Sequence, residues 1–287
     1  MAKATKVAQA IAEQIRSNRS GLGREDLFAD HRARLTREIE ERAPAGGHGR
    51  LCLLGAGNAN DVDLERLAAR FGEIHLVDID PESVRQARAH VAPATAARLV
   101  LHAPVDVSGV FEQLEGWSAR PPEALAFPAI VDDAVARVVA QLPGPFDVVV
   151  SCCLLTQLQL VLLQVVGDRN PRFGELRALV SRIHVRVLAR LLAPAAPALL
   201  VTDLTSSDTY PLDDLADDTD LRALMQDLVG AGNVIHAAHP GLLSAEIRRQ
   251  PELSAAYAVR TTVGPWLWHN GPSKVFLVYA VEITSRA

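Results

Sequence analysis

Only three cysteines occur in the 287 residues, Cys52, Cys152 and Cys153, all in or beside apolar runs. That is too few for a disulfide framework and suits a reducing compartment. The vicinal pair reads as inert packing, because free cysteine behaves as a small buried hydrophobe and no neighbouring charge argues for a thiolate. No apolar run approaches the roughly 18 to 20 residues of a membrane span, and the N-terminus has no stretch suited to secretion, so a soluble, cytoplasmic protein without membrane contact is expected. A basic block is also missing. Acidic residues outnumber Lys and Arg by 34 to 29, a net charge of −5, which offers little to a phosphate backbone and disfavours nucleic acid as a partner. His236-Ala237-Ala238-His239 has a spacing that two metal ligands could use. No glutamate motif or cysteine cluster accompanies it, and Pro240-Gly241 points to a loop, so no metal is expected.

What is present is a full core: 49% of residues are hydrophobic and 22% charged. The length exceeds a typical domain of about 100 to 150 residues, yet α/β sheets with extensions run as single units of this size. From residue 51 to residue 204 short apolar runs alternate with amphipathic stretches, the pattern of a parallel sheet covered on both faces. Val7, Ile11 and Ile15 share one face of a first N-terminal helix, and Phe28, Leu35 and Ile39 one face of a second, with His31 near that face. Pro44-Ala45-Gly46-Gly47 then breaks the chain. Residues 1–47 are therefore expected to form a helical extension and 48–287 the α/β domain. Gly116 to Pro128 reads as a surface loop before a helix around Ile130 to Leu142. Two strand-like stretches, Ala256 to Trp268 and Lys274 to Ile283, flank a turn at His269-Asn270-Gly271-Pro272.

The informative local feature is a pair of strand ends. Leu51 to Leu54 runs into Gly55-Ala56-Gly57, and Val77-Asp78-Ile79-Asp80 closes a second apolar run about twenty residues on. Two glycines keep side chains out of a ligand's way, and a carboxylate on the neighbouring strand can accept hydrogen bonds from ribose hydroxyls, which together make a grip for an adenosine. A dinucleotide site would carry a third small residue where this chain has Asn60. Asp61, beside it, would repel a pyrophosphate while capping a helix, so a ligand without phosphates fits better.

Leu54-Gly55-Ala56-Gly57-Asn58 and Leu76-Val77-Asp78-Ile79-Asp80 resemble the first and second motifs of the class I S-adenosylmethionine-dependent methyltransferases. Leu101 to Asp106, Phe146 to Ser151 and Pro197 to Asp203 resemble the family's third, fourth and fifth strands, in order, over roughly residues 48 to 285. The resemblance implies a doubly wound, seven-stranded, mostly parallel Rossmann-like sheet ending in an antiparallel hairpin, with the N-terminal helices lying across the ligand crevice as a lid. It implies S-adenosylmethionine as cofactor, with Gly55, Ala56, Gly57, Asn58, Asp78, Ile79, Asp106, Val107 and Ser151 around it. Asp106 would take the adenine amino group, Val107 would donate from its backbone, and Ser151 would face the methionine end. Asp80 is the competing carboxylate, better suited to capping a helix that starts at Pro81.

Methyl transfer from a sulfonium needs alignment rather than a nucleophilic side chain, which agrees with the lack of a catalytic constellation. Should a proton have to leave the acceptor, Asp203 and His239 are the candidates, with Thr156, Gln157, Tyr210, His236, Trp266, Trp268 and His269 as further substrate contacts. Trp266 and Trp268 share one strand face, as core packing or as a stacking wall for an aromatic or cationic molecule. The expected function is methylation of a nitrogen or oxygen on a small-molecule acceptor. The alternatives are an inactive protein that binds S-adenosylmethionine or S-adenosylhomocysteine, and an NAD-dependent oxidoreductase. The oligomeric state stays open, a homodimer included.

Overall fold

The computed structural model describes residues 5–20, 25–235, 238–271 and 274–285. Among these residues, seven strands form one sheet: β1 Gly49–Leu54, β2 Phe71–Val77, β3 Leu99–His102, β4 Val148–Cys152, β5 Pro197–Ser206, β6 Tyr257–Gly271 and β7 Lys274–Ser285. Their order is β3-β2-β1-β4-β5-β7-β6. The first five strands run parallel, and β7 pairs antiparallel with both β5 and β6. This is the doubly wound α/β arrangement, with its topological switch between β1 and β4 and an antiparallel hairpin closing one edge.

Among the described residues, twelve α-helices flank the sheet: α1 Lys6–Ser20, α2 Ala29–Glu40, α3 Leu64–Ala68, α4 Pro81–Ala89, α5 Pro93–Ala96, α6 Phe111–Ala119, α7 Phe127–Val139, α8 Leu154–Val166, α9 Phe173–Arg190, α10 Leu221–Gly230, α11 Pro240–Arg249 and α12 Pro251–Ala256. Leu51, Cys52, Leu53 and Leu54 are all fully buried because β1 lies at the centre with a helical layer on each side. Period-two alternation then splits them. Cys52 and Leu54 join the core formed with α6 to α9, while Leu51 and Leu53 join the core formed with α2, α3 and α4.

The two N-terminal helices do different things. In α2, His31, Leu35 and Ile39 form a buried stripe at a spacing of four, so this helix is part of a sheet-covering layer. Its end is tied to the hairpin by Arg42, which reaches Glu38 at 3.0 Å and Glu282 at 2.6 Å. Helix α1 packs on α8, α6 and α4, over the carboxyl ends of the central strands.

Several local expectations need correction. Gly116 to Pro128 is not a continuous loop: α6 runs through Gly116 to Ala119, and Pro128 lies in the first turn of α7. Pro240 likewise opens α11 instead of marking a loop. In both cases a proline looks like a breaker in the sequence but suits a first helical turn, where its missing N–H costs nothing. The helix after the glycine turn begins only at Leu64, capped by the Asp63 side chain, which accepts from Arg66 N at 3.1 Å. Asp61 therefore caps nothing. Asp80 does cap α4, accepting from Glu82 N at 3.0 Å. Pro272, in the hairpin turn, and His236, in the histidine pair, lie outside the described residues. No described helix is long and apolar enough to cross a membrane.

Candidate active site

At the carboxyl ends of β1 and β2, Gly55 and Asp78 line one cleft with about 480 Å³ of empty space. Gly55 has φ +73, and a Cβ placed there would lie 3.0 Å from the Leu154 Cβ at the start of α8, so a side chain there is excluded by the protein itself. Gly57 N donates to Asp78 Oδ2 at 2.8 Å, and Asp80 N donates to Oδ1 at 2.9 Å. A carboxylate offers about four lone-pair positions, so capacity remains for hydroxyl donors. Burial raises the Asp78 pKa, and the backbone donors from Asp80 and Gly57 work against that rise by favouring the charged form. The third tight position of the turn is Ala59, at φ 57, which the sequence does not announce because alanine there carries no signal.

The other walls of this cleft are Ile79, Val105, Val107 and Phe111 on the β2–β3 side, Leu154, Gln157, Leu158 and Val161 from α8, and Ile11, Gln14 and Asn18 from α1. Sequence reading missed the α1 contributions, apart from the apolar face bearing Ile11. Gln14 and Asn18 give no motif, and only the packing of α1 on α8 brings them over the glycine turn. Asn58 holds that helix in place: its Nδ2 donates to Asn18 O at 2.5 Å.

Of the expected cofactor residues, Gly55, Asp78, Ile79 and Val107 line the cleft. Ala56 and Gly57 build the turn behind it, with Ala56 N donating to Val77 O at 3.1 Å. Asp106 and Ser151 face elsewhere. The Asp106 oxygens accept from Ser108 N at 2.8 Å, Ser108 Oγ at 2.6 Å and Phe111 N at 2.8 Å, which shapes the turn before α6. Ser151 is fully buried and its Oγ meets His184 Nε2 of α9 at 2.8 Å. Asp106 lies four residues beyond the end of β3 and Ser151 one residue before the end of β4, and both side chains are taken up by protein partners.

A second cleft, with about 880 Å³ of empty space, adjoins the first; Gln14 and Gln157 line both. Its other lining residues are Glu13, Cys153, Thr156, Leu160, Asp203, Trp268, Asn270 and Phe276. Asp203 does not end its strand as the sequence suggests. It sits at an irregularity in the β5–β7 pairing, and β5 continues to Ser206. Its Oδ1 accepts from Thr156 Oγ1 at 3.0 Å. Burial pushes the Asp203 pKa up to about 6, against the lowering effects of the Thr156 hydrogen bond and the Lys274 charge. His239 lines neither cleft. It caps α11, its Nδ1 accepting from Gly241 N at 3.1 Å and Leu242 N at 3.3 Å.

Behind the second cleft, Trp268 stacks on His31 with ring centroids 4.8 Å apart and 24° between planes. Burial depresses the His31 pKa to about 3, so the ring is neutral. Its Nδ1 accepts from Trp266 Nε1, which leaves the proton on Nε2, 3.6 Å from Asp61 Oδ1. Burial raises the Asp61 pKa to about 7, with Arg32 opposing and Asp203 reinforcing the rise.

No family model and no curated protein matches the chain. Among solved structures it is similar to the glycopeptide N-methyltransferase MtfA complexed with S-adenosyl-L-homocysteine, at 13% identity, covering 88% of this chain and 88% of that chain, with a TM-score of 0.44. It is similar to the N-methyltransferase NodS from Bradyrhizobium japonicum at 11% identity, covering 89% of this chain and 87% of that chain, with a TM-score of 0.42. A TehB-like S-adenosylmethionine-dependent methyltransferase from Corynebacterium glutamicum matches at 10% identity, over 88% of this chain and 86% of that chain, with a TM-score of 0.42. Likeness at this level says nothing of a ligand; the residues of the two clefts decide what they can hold.

Proposed function

We propose that the protein is an S-adenosylmethionine-dependent methyltransferase that acts on a nitrogen or oxygen of a small molecule. The observation that carries this is the convergence of Gly55 and Asp78 on one cleft that opens into a second, carboxylate-bearing one. The residues fit the cofactor's chemistry. The open glycine turn admits close backbone approach, Asp78 has acceptor capacity for ribose hydroxyls, and Val105, Val107 and Phe111 make an apolar slot for a planar base. Bound S-adenosylmethionine would supply a methyl group already activated by its sulfonium.

The chain's own task is then alignment. Helix α1 covers the cofactor cleft and excludes water, and Gln14 and Gln157 stand where the two clefts join. Asp203, held by Thr156, orients the acceptor atom or takes its proton.

Calorimetric titration with S-adenosylhomocysteine tests the cofactor site. The wild type should bind, and Asp78→Ala should lose affinity by about tenfold or more with its circular dichroism spectrum intact. Unchanged affinity in the variant would remove Asp78 from the site, and no binding by the wild type would refute the function.

A further inference from the structure

The second cleft has a lopsided chemistry. Two carboxylates, Asp203 and the exposed Glu13, line it, and no lysine or arginine is among its lining residues. Lys274, whose charge bears on Asp203, is paired with Asp208. The remaining walls are aromatic and amide. Trp268 and Phe276 lie with centroids 5.2 Å apart, and the Lys274 ammonium sits 5.2 Å from the Phe276 ring centroid, so one aromatic face of this cleft already carries a cation. Trp268 is held rigid by its stack on His31, is 7% exposed, and its indole N–H has no partner among the described residues.

We propose that the methyl acceptor is an organic amine that enters the second cleft as its ammonium ion, held between the carboxylates of Asp203 and Glu13 and the indole face of Trp268. This rests on the methyltransferase reading of the adjoining cleft. An anionic acceptor would meet two carboxylates, with the Lys274 cation already paired with Asp208, and a neutral alcohol would gain little from either carboxylate or ring. An ammonium gains from all three.

The chemistry balances. The ammonium first gives one proton to the Asp203 carboxylate, from which it passes to solvent. The freed nitrogen lone pair then forms the bond to the methyl carbon as the carbon–sulfur bond breaks, its electrons staying on sulfur. The positive charge moves from sulfur to the methylated nitrogen.

The test uses the full chain saturated with S-adenosylhomocysteine and titrated with a panel of aliphatic and aromatic amines, each paired with its alcohol and carboxylate counterpart, read by calorimetry and tryptophan fluorescence. Bound amines should exceed their alcohols by about tenfold in affinity, and Asp203→Asn should reduce that preference several-fold. Glu13→Gln, at an exposed position, reports the same effect should the Asp203 variant fail to fold. Alcohols or carboxylates binding as tightly as amines would overturn the proposal, as would a preference that survives both substitutions. Binding of S-adenosylhomocysteine with no amine bound would overturn the acceptor class and leave the cofactor site standing. Failure of S-adenosylhomocysteine itself to bind would refute the cofactor site, and this proposal with it.

Discussion

Nδ1 of His31 accepts the indole N–H of Trp266 at 2.9 Å, joining the second helix to the terminal hairpin across 235 positions of sequence. One hydrogen bond thereby sets the histidine tautomer, satisfies a buried donor and aligns the ring on which Trp268 stacks. The wall of the second cleft is thus built from opposite ends of the chain.

Removing that ring should be costly. His31→Ala leaves a cavity and an unsatisfied Trp266 N–H, and is expected to lower stability by about 2–4 kcal/mol, measured as a shift in urea midpoint at constant slope. A loss within about 0.5 kcal/mol, the range of ordinary surface changes, would show that the hairpin does not depend on this contact.

Stability should respond to pH through groups of opposite sign. The His31 pKa is depressed from 6.5 to about 3 and that of His184 to about 4, so the unfolded chain binds more protons and stability falls as pH drops below about 6.5. The Asp61 pKa is raised from 3.8 to about 7, so the folded chain binds the extra proton, and that contribution is lost as pH rises through about 7. Asp61→Asn, which removes only the second effect, should stabilise the protein by about 1–3 kcal/mol at pH 8 relative to its effect at pH 4.5, given about 1.4 kcal/mol per pKa unit. Chemical denaturation of both proteins at the two pH values measures this. An equal effect at both would mean that Asp61 titrates normally in the folded state.

Gly55→Ala should damage both the fold and the first cleft. The added methyl would lie 3.0 Å from the Leu154 Cβ at a backbone φ of +73, for an expected cost of about 1–3 kcal/mol. Two of the three close approaches are to Leu154 Cδ1 at 3.1 Å and Cγ at 3.3 Å, which Leu154→Ala removes while the Cβ stays, so Leu154→Ala in the Gly55→Ala background should cost somewhat less than Leu154→Ala alone. Strict additivity in a double-mutant cycle would show that the two residues do not collide.

Helix α1 should act as the cover of the first cleft. Asn58→Ala removes the 2.5 Å hydrogen bond to Asn18 O, and is expected to speed S-adenosylhomocysteine dissociation by about three- to tenfold while lowering stability by no more than about 1 kcal/mol. Stopped-flow displacement measures the rate. An unchanged rate would mean that α1 is not fastened through Asn58.

The sheet is largely legible in the sequence. Uninterrupted apolar runs such as Leu51 to Leu54 and Val148 to Val150 are fully buried as such runs require, and Asp80-Pro81 marks a helix start by local chemistry alone. Gly55 and Asp78 were legible for the same reason, since a side-chain-free turn and a strand-end carboxylate are local features. Prolines at 128 and 240 misled because a breaker and a first-turn residue look alike without their neighbours.

Local chemistry in the sequence thus settled the strands, their order of appearance, and the glycine turn and strand-end carboxylate that meet at the first cleft, because each depends on residues a few positions apart. Tertiary packing decided the rest. It paired the Ser151 hydroxyl with His184 of α9, and brought Gln14, Asn18 and Trp268 to the clefts. Their positions follow from how α1, α2 and the hairpin settle on the sheet, and contacts between segments this far apart leave no period or spacing in the chain to read.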